Sequence, residues 1–265
     1  MQQAQQNLKP VVILDDDENW AGEIGRCVKR LGGLPVEYYA SIEAFYRYHH
    51  LESKDQEGLS RVLGGYSALV CDNNFETPNP PVPGDGRRWG GDFLLNNVGP
   101  AIETMTSEGR PIVMCFAPSS MTVIRGYEKR MWDQYGIISF HKLWETAGAG
   151  LAIRITREYG TLLSRDSIVH AICQQDLNED DYDGPKAQFF LKLRHELACW
   201  DDFSNDEFNQ VAGDANPMPW EEIVASLAQR LNTSTDQLSR TIDTEVQKRN
   251  SQIEGQGKHP EHEGS

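Results

Sequence analysis

Between residues 9 and 165 short apolar runs alternate with stretches of helical spacing, and this alternation constrains the chain more than any other feature. "VVIL" (11–14), "PVEYYAS", "YSALVC" (66–71), "PIVMCFA" (111–117) and "IISFH" (137–141) read as strands. Between and after them, "WAGEIGRCVKRLGG" sets Ile24, Val28 and Leu31 at helical spacing and closes on glycines. "IEAFYRYHHLE", "GDFLLNNVGPAIETM", "MTVIRGYEKRMWDQYG" and "ETAGAGLAIRITREYGTLL" continue the series, with Gly99-Pro100 expected to end or kink the third helix. Strands that are apolar on both faces, each followed by a helix, predict an α/β fold: a (βα)5 doubly wound parallel sheet over 9–165.

Two stretches break the pattern. Residues 73–90, "NNFETPNPPVPGDGRRWG", form a Pro-, Gly- and Asn-rich loop after the third strand, long enough to suggest a functional role. Beyond 165 the strand signal disappears, and 166–250 reads as an all-α C-terminal domain, with "DSIVHAICQQ", "PKAQFFLKLRHELACW" and "PWEEIVASLAQRLNTSTDQLSRTIDTEVQKRN" as its helices. Residues 1–8 read as a flexible leader and 251–265 as a disordered tail.

With Lys and Arg together 25 against 40 Asp and Glu, the net charge of -15 gives no overall attraction to nucleic acid or anionic lipid. No apolar run approaches the ~18 residues of a membrane span, and the polar "MQQAQQNLKP" has no signal core, so a cytoplasmic location is expected. The five cysteines, Cys27, Cys71, Cys115, Cys173 and Cys199, lack close metal-type pairing and read as buried thiols.

Ligands of parallel α/β sheets gather at the carboxyl ends of the strands. There the sequence sets Asp15, Asp16 and Asp17 after strand one, Asp72 at the end of strand three and Lys142 after strand five. Three adjacent aspartates alone would be a solvated strand end. Carboxylates converging from two strands instead call for a hard divalent cation, and an all-oxygen donor set suits Mg²⁺. A lysine ammonium at the same edge suits phosphate oxygens.

These residues resemble the receiver domain of two-component response regulators. The resemblance rests on "VVILDDDENW", "YSALVCDNN", "GGDFLL", "RPIVMCFA" and "ISFHK", and covers about residues 9–165. It implies a flavodoxin-like receiver in which Asp15, Asp16, Asp72 and the backbone carbonyl of Asn74 bind Mg²⁺. Asp72 would be the phosphoacceptor, already ionised at neutral pH, and Lys142 would pair with it and then with the phosphoryl group. The implied partner is a histidine kinase or phosphotransfer protein. Three positions depart from the family pattern: Phe116 replaces a Thr or Ser before Ala117, Ser139 replaces an aromatic three residues before the lysine, and Leu143 replaces a proline after it. Ser119 or Ser120 could supply the missing hydroxyl after a shift in loop register, and Arg87, Arg88 and Trp89 could fold over the site.

In the C-terminal half, "IVASLAQRLNTSTDQLSRTIDTEV" resembles a helix-turn-helix, with a turn at Asn232-Thr233 and Gln237 and Arg240 available to DNA base edges. From Trp220 to Asn250 five acids face four bases, so DNA and a protein target stay equally open as partners. A homodimer is also left open. Two rival functions are carried forward. One is a phosphorylation-independent pseudo-receiver acting as a protein-interaction module. The other is a haloacid-dehalogenase-type phosphatase with Asp15 as nucleophile, Asp17 as acid/base, and Ser119 or Ser120 and Lys142 as later elements.

Overall fold

The computed structural model describes residues 8–75, 90–117, 121–142, 145–173 and 217–256. Five strands form one parallel sheet: β1 (Val11–Leu14), β2 (Val36–Tyr39), β3 (Ala68–Asp72), β4 (Ile112–Ala117) and β5 (Ile138–His141), in the order β2-β1-β3-β4-β5. The α/β class and the parallel sheet follow the sequence expectation, and the sheet is compatible with a flavodoxin-like fold. Successive residues along each strand feed two separate apolar cores. Val11, Ile13, Val70, Phe116 and Phe140 face one side. Val12, Leu14, Leu69, Cys71 and Cys115 face the other. This two-sided burial is why the strands read as unbroken apolar runs.

Helices cover both faces. On the first side lie α1 (Glu18–Cys27), which continues as a π turn over Val28–Gly32, and α7 (Thr146–Tyr159). Gly160, at φ 67°, ends α7 in the left-handed conformation that a side chain would oppose. On the second side lie α2 (Ile42–Tyr48), α3 (Gln56–Leu63), α4 (Gly90–Phe93), α5 (Gly99–Glu103) and, through Met131, α6 (Met121–Tyr135).

The chain departs from the sequence reading in three places. Helix α3 was not expected, because only Gly58, Leu59 and Leu63 of its eight residues are buried and its apolar pattern is thin. At Gly99-Pro100, expected to end or kink the third helix, the helix goes on past the proline as α5, just after a π turn over Leu94–Val98. The proline occupies the first turn of α5, where a missing N–H costs nothing. The last helix runs to Gln256, past residue 250 where the tail was expected to begin.

In the C-terminal part are α8 (Arg165–Cys173), α9 (Trp220–Arg230) and α10 (Thr235–Gln256). Their buried residues, Ile168, Ile172, Ile223, Leu227, Leu238 and Ile242, join the core that α1 and α7 share with the sheet. Polar contacts reinforce the docking. The Met218 N–H donates to the Arg30 carbonyl at 2.8 Å, and the Thr161 hydroxyl donates to Asn250 at 2.7 Å. The Arg249 guanidinium stacks 4.8 Å from the Trp132 ring. Among the described residues, no helix is long and apolar enough to cross a membrane.

Candidate functional site

At the carboxyl edge of the sheet the strand ends deliver charge into a buried space. Asp15 is the first residue past β1 and Asp72 the last of β3, and neither is appreciably exposed. Lys142, one residue past β5, reaches between them, its Nζ 3.0 Å from Asp15 Oδ1 and 3.0 Å from Asp72 Oδ2. Asp16 completes the group: carboxylate oxygens of Asp15, Asp16 and Asp72 lie within 4.8 Å of one another. The Trp20 ring centroid is 6.0 Å from the ammonium.

The local backbone aims these groups. Asp15 Oδ1 accepts from the Asp17 N–H at 3.0 Å, turning its second oxygen inward. Asp17 points elsewhere and caps α1, accepting from the Asn19 and Trp20 N–H groups. Behind Asp72 the chain returns at Gly90, whose N–H donates to the Asn73 carbonyl at 3.0 Å. Gly91 N–H donates to Asn73 Oδ1 at 3.1 Å. A Cβ at Gly90 would overlap the Asp72 carbonyl, so only glycine permits this approach.

Two buried carboxylates share one ammonium, with Asp16 beside them, so with its carboxylates ionised the pocket carries more negative than positive charge. Asp15 Oδ2 and Asp72 Oδ1 are buried and accept no hydrogen bond. Orphaned charged oxygens in a low-dielectric site are costly. An oxygen-only donor set with net negative charge fits a hard cation such as Mg²⁺, and Asp15, Asp16 and Asp72 are the residues that could hold it.

The pocket changes the protonation of its own members. Burial, with the Asp15 charge adding to it, pushes Asp72 up to about 7 against the pull of Lys142. This corrects the expectation that Asp72 is already ionised at neutral pH: without a cation it holds a proton for much of the time. The expectation failed because desolvation is a tertiary property that spacing does not reveal. Burial likewise raises Asp15. Burial opposes the charge on Lys142, but the carboxylates of Asp72 and Asp15 outweigh it and raise its pKa. Cys71 is driven up by burial and stays a thiol, its Sγ donating to the Asp72 carbonyl at 3.3 Å.

Asp15, Asp16, Asp72 and Lys142 are thus brought together as expected from their order. Asn74 is exposed just beyond β3. Phe116 is the strand partner of Asp72 and is buried in a stack with Phe140, ring centroids 5.7 Å apart. Ser139 is buried on β5. Gln237 and Arg240 are exposed on α10, which begins after Asn232 at φ 51° and is capped by Ser234. Arg87, Arg88, Trp89, Ser119, Ser120 and Leu143 lie outside the described residues.

Comparison with family models, with curated proteins and with solved structures returned no match. The site therefore stands on its own geometry.

That geometry includes two residues the sequence reading missed. Glu145, fully buried, accepts from Arg165 Nε at 2.8 Å through Oε2 and from Arg165 Nη2 at 3.0 Å through Oε1. Oε2 also accepts from the His141 N–H at 2.8 Å. The one sequence signal was Arg165 itself, a charge at the start of the helix "RDSIVHAIC".

Proposed function

We propose that the chain is a receiver-like signalling protein in which Asp72 accepts a phosphoryl group in a Mg²⁺-dependent reaction. The observation that carries this is the meeting of Asp15, Asp72 and Lys142 in one buried pocket, with an unpartnered oxygen on each carboxylate. Attack of a carboxylate on a phosphoryl group sets anion against anion, so the site's task is charge neutralisation and alignment. Mg²⁺, when bound, supplies positive charge against both the carboxylates and the phosphoryl oxygens. With the cation held by Asp15, Asp16 and Asp72, Asp72 would be ionised and would present a carboxylate oxygen to phosphorus. The new P–O bond forms as the bond to the donor's leaving group breaks, and that group departs with the electron pair. Lys142 follows the developing charge, transferring hydrogen bonds from Asp72 to the phosphoryl oxygens. Asp15 Oδ1 accepts from the Lys142 ammonium at 3.0 Å.

The physiological donor under this proposal is a histidine kinase or phosphotransfer protein. The readout is the C-terminal helical part, acting on DNA through Gln237 and Arg240 or on a protein target. Incubating the full chain with a small phosphodonor and Mg²⁺ should give the mass gain of one acyl phosphate. Asp72→Ala should abolish it; an equal gain in that variant would end the proposal.

One observation favours a second reading. The Phe116–Phe140 stack puts an aromatic ring, rather than a hydroxyl, on the strand position paired with Asp72. Under that reading the pocket binds a cation and the protein acts as a phosphorylation-independent interaction module. Tight Mg²⁺ binding with no acyl phosphate from any donor would select it. The phosphatase alternative loses ground because Asp17, its required acid/base, is committed to capping α1.

A further inference from the structure

Glu145 grips the residue in front of Lys142 by both backbone groups. The His141 N–H donates to Glu145 Oε2 at 2.8 Å, and the Glu145 N–H donates to the His141 carbonyl at 2.9 Å. The Thr146 hydroxyl donates to the Lys142 carbonyl at 3.3 Å. The chain entering and leaving Lys142 is therefore held at three points, all referred to the start of α7. The carboxylate providing the first of them is itself immobilised by the two-pronged Arg165 contact. Arg165 opens α8, and α8 packs with α10 in one core, where His170 Nδ1 lies 3.3 Å from Glu145's α10 counterpart Glu245.

A lysine side chain has four rotatable bonds, and the ammonium must stand 3.0 Å from two carboxylates at once. Ion pairing and burial of the side chain narrow where it can stand, and the backbone at 141 and 142 sets the point from which the stem starts. We propose that Glu145, locked by Arg165, is a positioning group that sets where the Lys142 ammonium stands between Asp15 and Asp72. Helix α8 is thereby tied to the reacting edge of the sheet. This rests on the phosphoacceptor role of that site, and it adds two residues that touch neither phosphoryl group nor cation. A slackened clamp leaves Asp15, Asp16 and Asp72 in place while the ammonium wanders. Cation binding survives and phosphoryl transfer suffers, since misplacement by about 1 Å can cost on the order of 100-fold in rate.

The test uses the full chain with Glu145→Gln, Glu145→Ala and Arg165→Lys. The initial rate of acyl-phosphate formation at saturating Mg²⁺ is measured beside Mg²⁺ affinity by calorimetry. The ¹⁵N side-chain signal of Lys142, identified by its loss in Lys142→Met, is followed in the same variants. Glu145→Gln keeps the size of the side chain and one acceptor, and so guards against a variant that fails to fold. The expected result is a rate lowered about 30-fold in Glu145→Ala and less in Glu145→Gln and Arg165→Lys. Mg²⁺ affinity is expected to hold or tighten, and the Lys142 signal to broaden. Rates within about twofold of the parent with an unchanged Lys142 signal overturn the proposal, as does a Glu145→Gln rate that falls only in step with Mg²⁺ affinity. If the parent never forms an acyl phosphate but the Lys142 signal still broadens in Glu145→Gln, the phosphoacceptor reading fails and the positioning role stands.

Discussion

Two buried ion clusters lie close together at the end of β5, and they obey opposite rules. Around Glu145 a buried carboxylate meets a buried guanidinium, with Asp166 3.7 Å from that guanidinium on its exposed side, and both Glu145 oxygens accept hydrogen bonds. Around Lys142 two carboxylates compete for one ammonium, and one oxygen of each accepts nothing. The residue types are nearly the same; the arithmetic differs. A buried carboxylate by itself does not mark a binding site, since Glu145 is buried as deeply as Asp15. The mark is a deficit of positive charge and of donors, which a ligand can make good. The closed cluster has its charges and acceptors met, whereas the open one is a group of carboxylates that could hold a metal ion.

The largest expected effect breaks the closed cluster. Arg165→Ala removes the guanidinium that both Glu145 oxygens accept from and leaves the carboxylate charge buried. Removing one partner of a buried ion pair typically costs roughly 3–5 kcal/mol, because the other charge stays uncompensated. Urea unfolding should show that loss, with no change in it on adding Mg²⁺. A loss under about 1 kcal/mol would mean that the pair is not closed in the sense argued here.

The open cluster should answer to pH. Asp72 titrates at about 7 in the fold, against roughly 4 for an exposed aspartate. Between those values the folded chain keeps a proton that the unfolded chain has released, so the unfolding free energy falls as pH rises. The stability linked to this proton is fully present below about pH 4 and is lost as pH climbs through about 7. Asp15, also raised, acts in the same direction. For Asp72 the loss is on the order of a few kcal/mol. Mg²⁺ competes with the proton, so its stabilising effect at fixed concentration should grow from about pH 5.5 to about pH 7.5. Thermal unfolding across that range with and without Mg²⁺ checks both signs. A Mg²⁺ effect that is flat with pH would remove Asp72 from the cation site.

The contrast between the clusters also separates what could be read in the sequence from what could not. The open site was legible because Asp15, Asp16, Asp72 and Lys142 each follow an apolar run, and strand ends in a parallel sheet meet at one edge. The strands were legible for the same reason, as Val12 and Ile13 are both buried on opposite faces. The Glu145–Arg165 pair was invisible, because it spans 20 residues and nothing local shows that Glu145 will be buried. The raised pKa of Asp72 was invisible likewise, being a consequence of packing from four elements. Helix α3 escaped because a short helix that buries one thin stripe has little periodicity to detect. At Gly99-Pro100 the rule marked a break in the regular helix that the structure shows as a π turn just upstream of the proline.

The smallest effect sharpens the comparison by closing the open cluster from within. Asp15→Asn removes one negative charge while preserving shape. The amide oxygen can still accept from the Asp17 N–H and from Lys142, as Asp15 Oδ1 does now. The amide nitrogen takes the place of the orphaned Asp15 Oδ2 and becomes a donor within the carboxylate group that includes Asp72. Lys142 then pairs with a single buried carboxylate, Asp72, with the half-buried Asp16 beside it. Without metal the variant should be more stable than the parent by about 1 kcal/mol near neutral pH, the net worth of a typical hydrogen bond made to a formerly unpaired group. The gain should shrink as pH falls below about 6, where the parent's carboxylates are relieved by protonation. It should also reverse in millimolar Mg²⁺, because the parent is stabilised by the cation and the variant has lost one of its oxygen ligands. Equilibrium unfolding with and without Mg²⁺ reads both halves. A variant less stable than the parent under both conditions would show that Asp15 serves the fold, and that the deficit around Lys142 is not a vacancy for a cation.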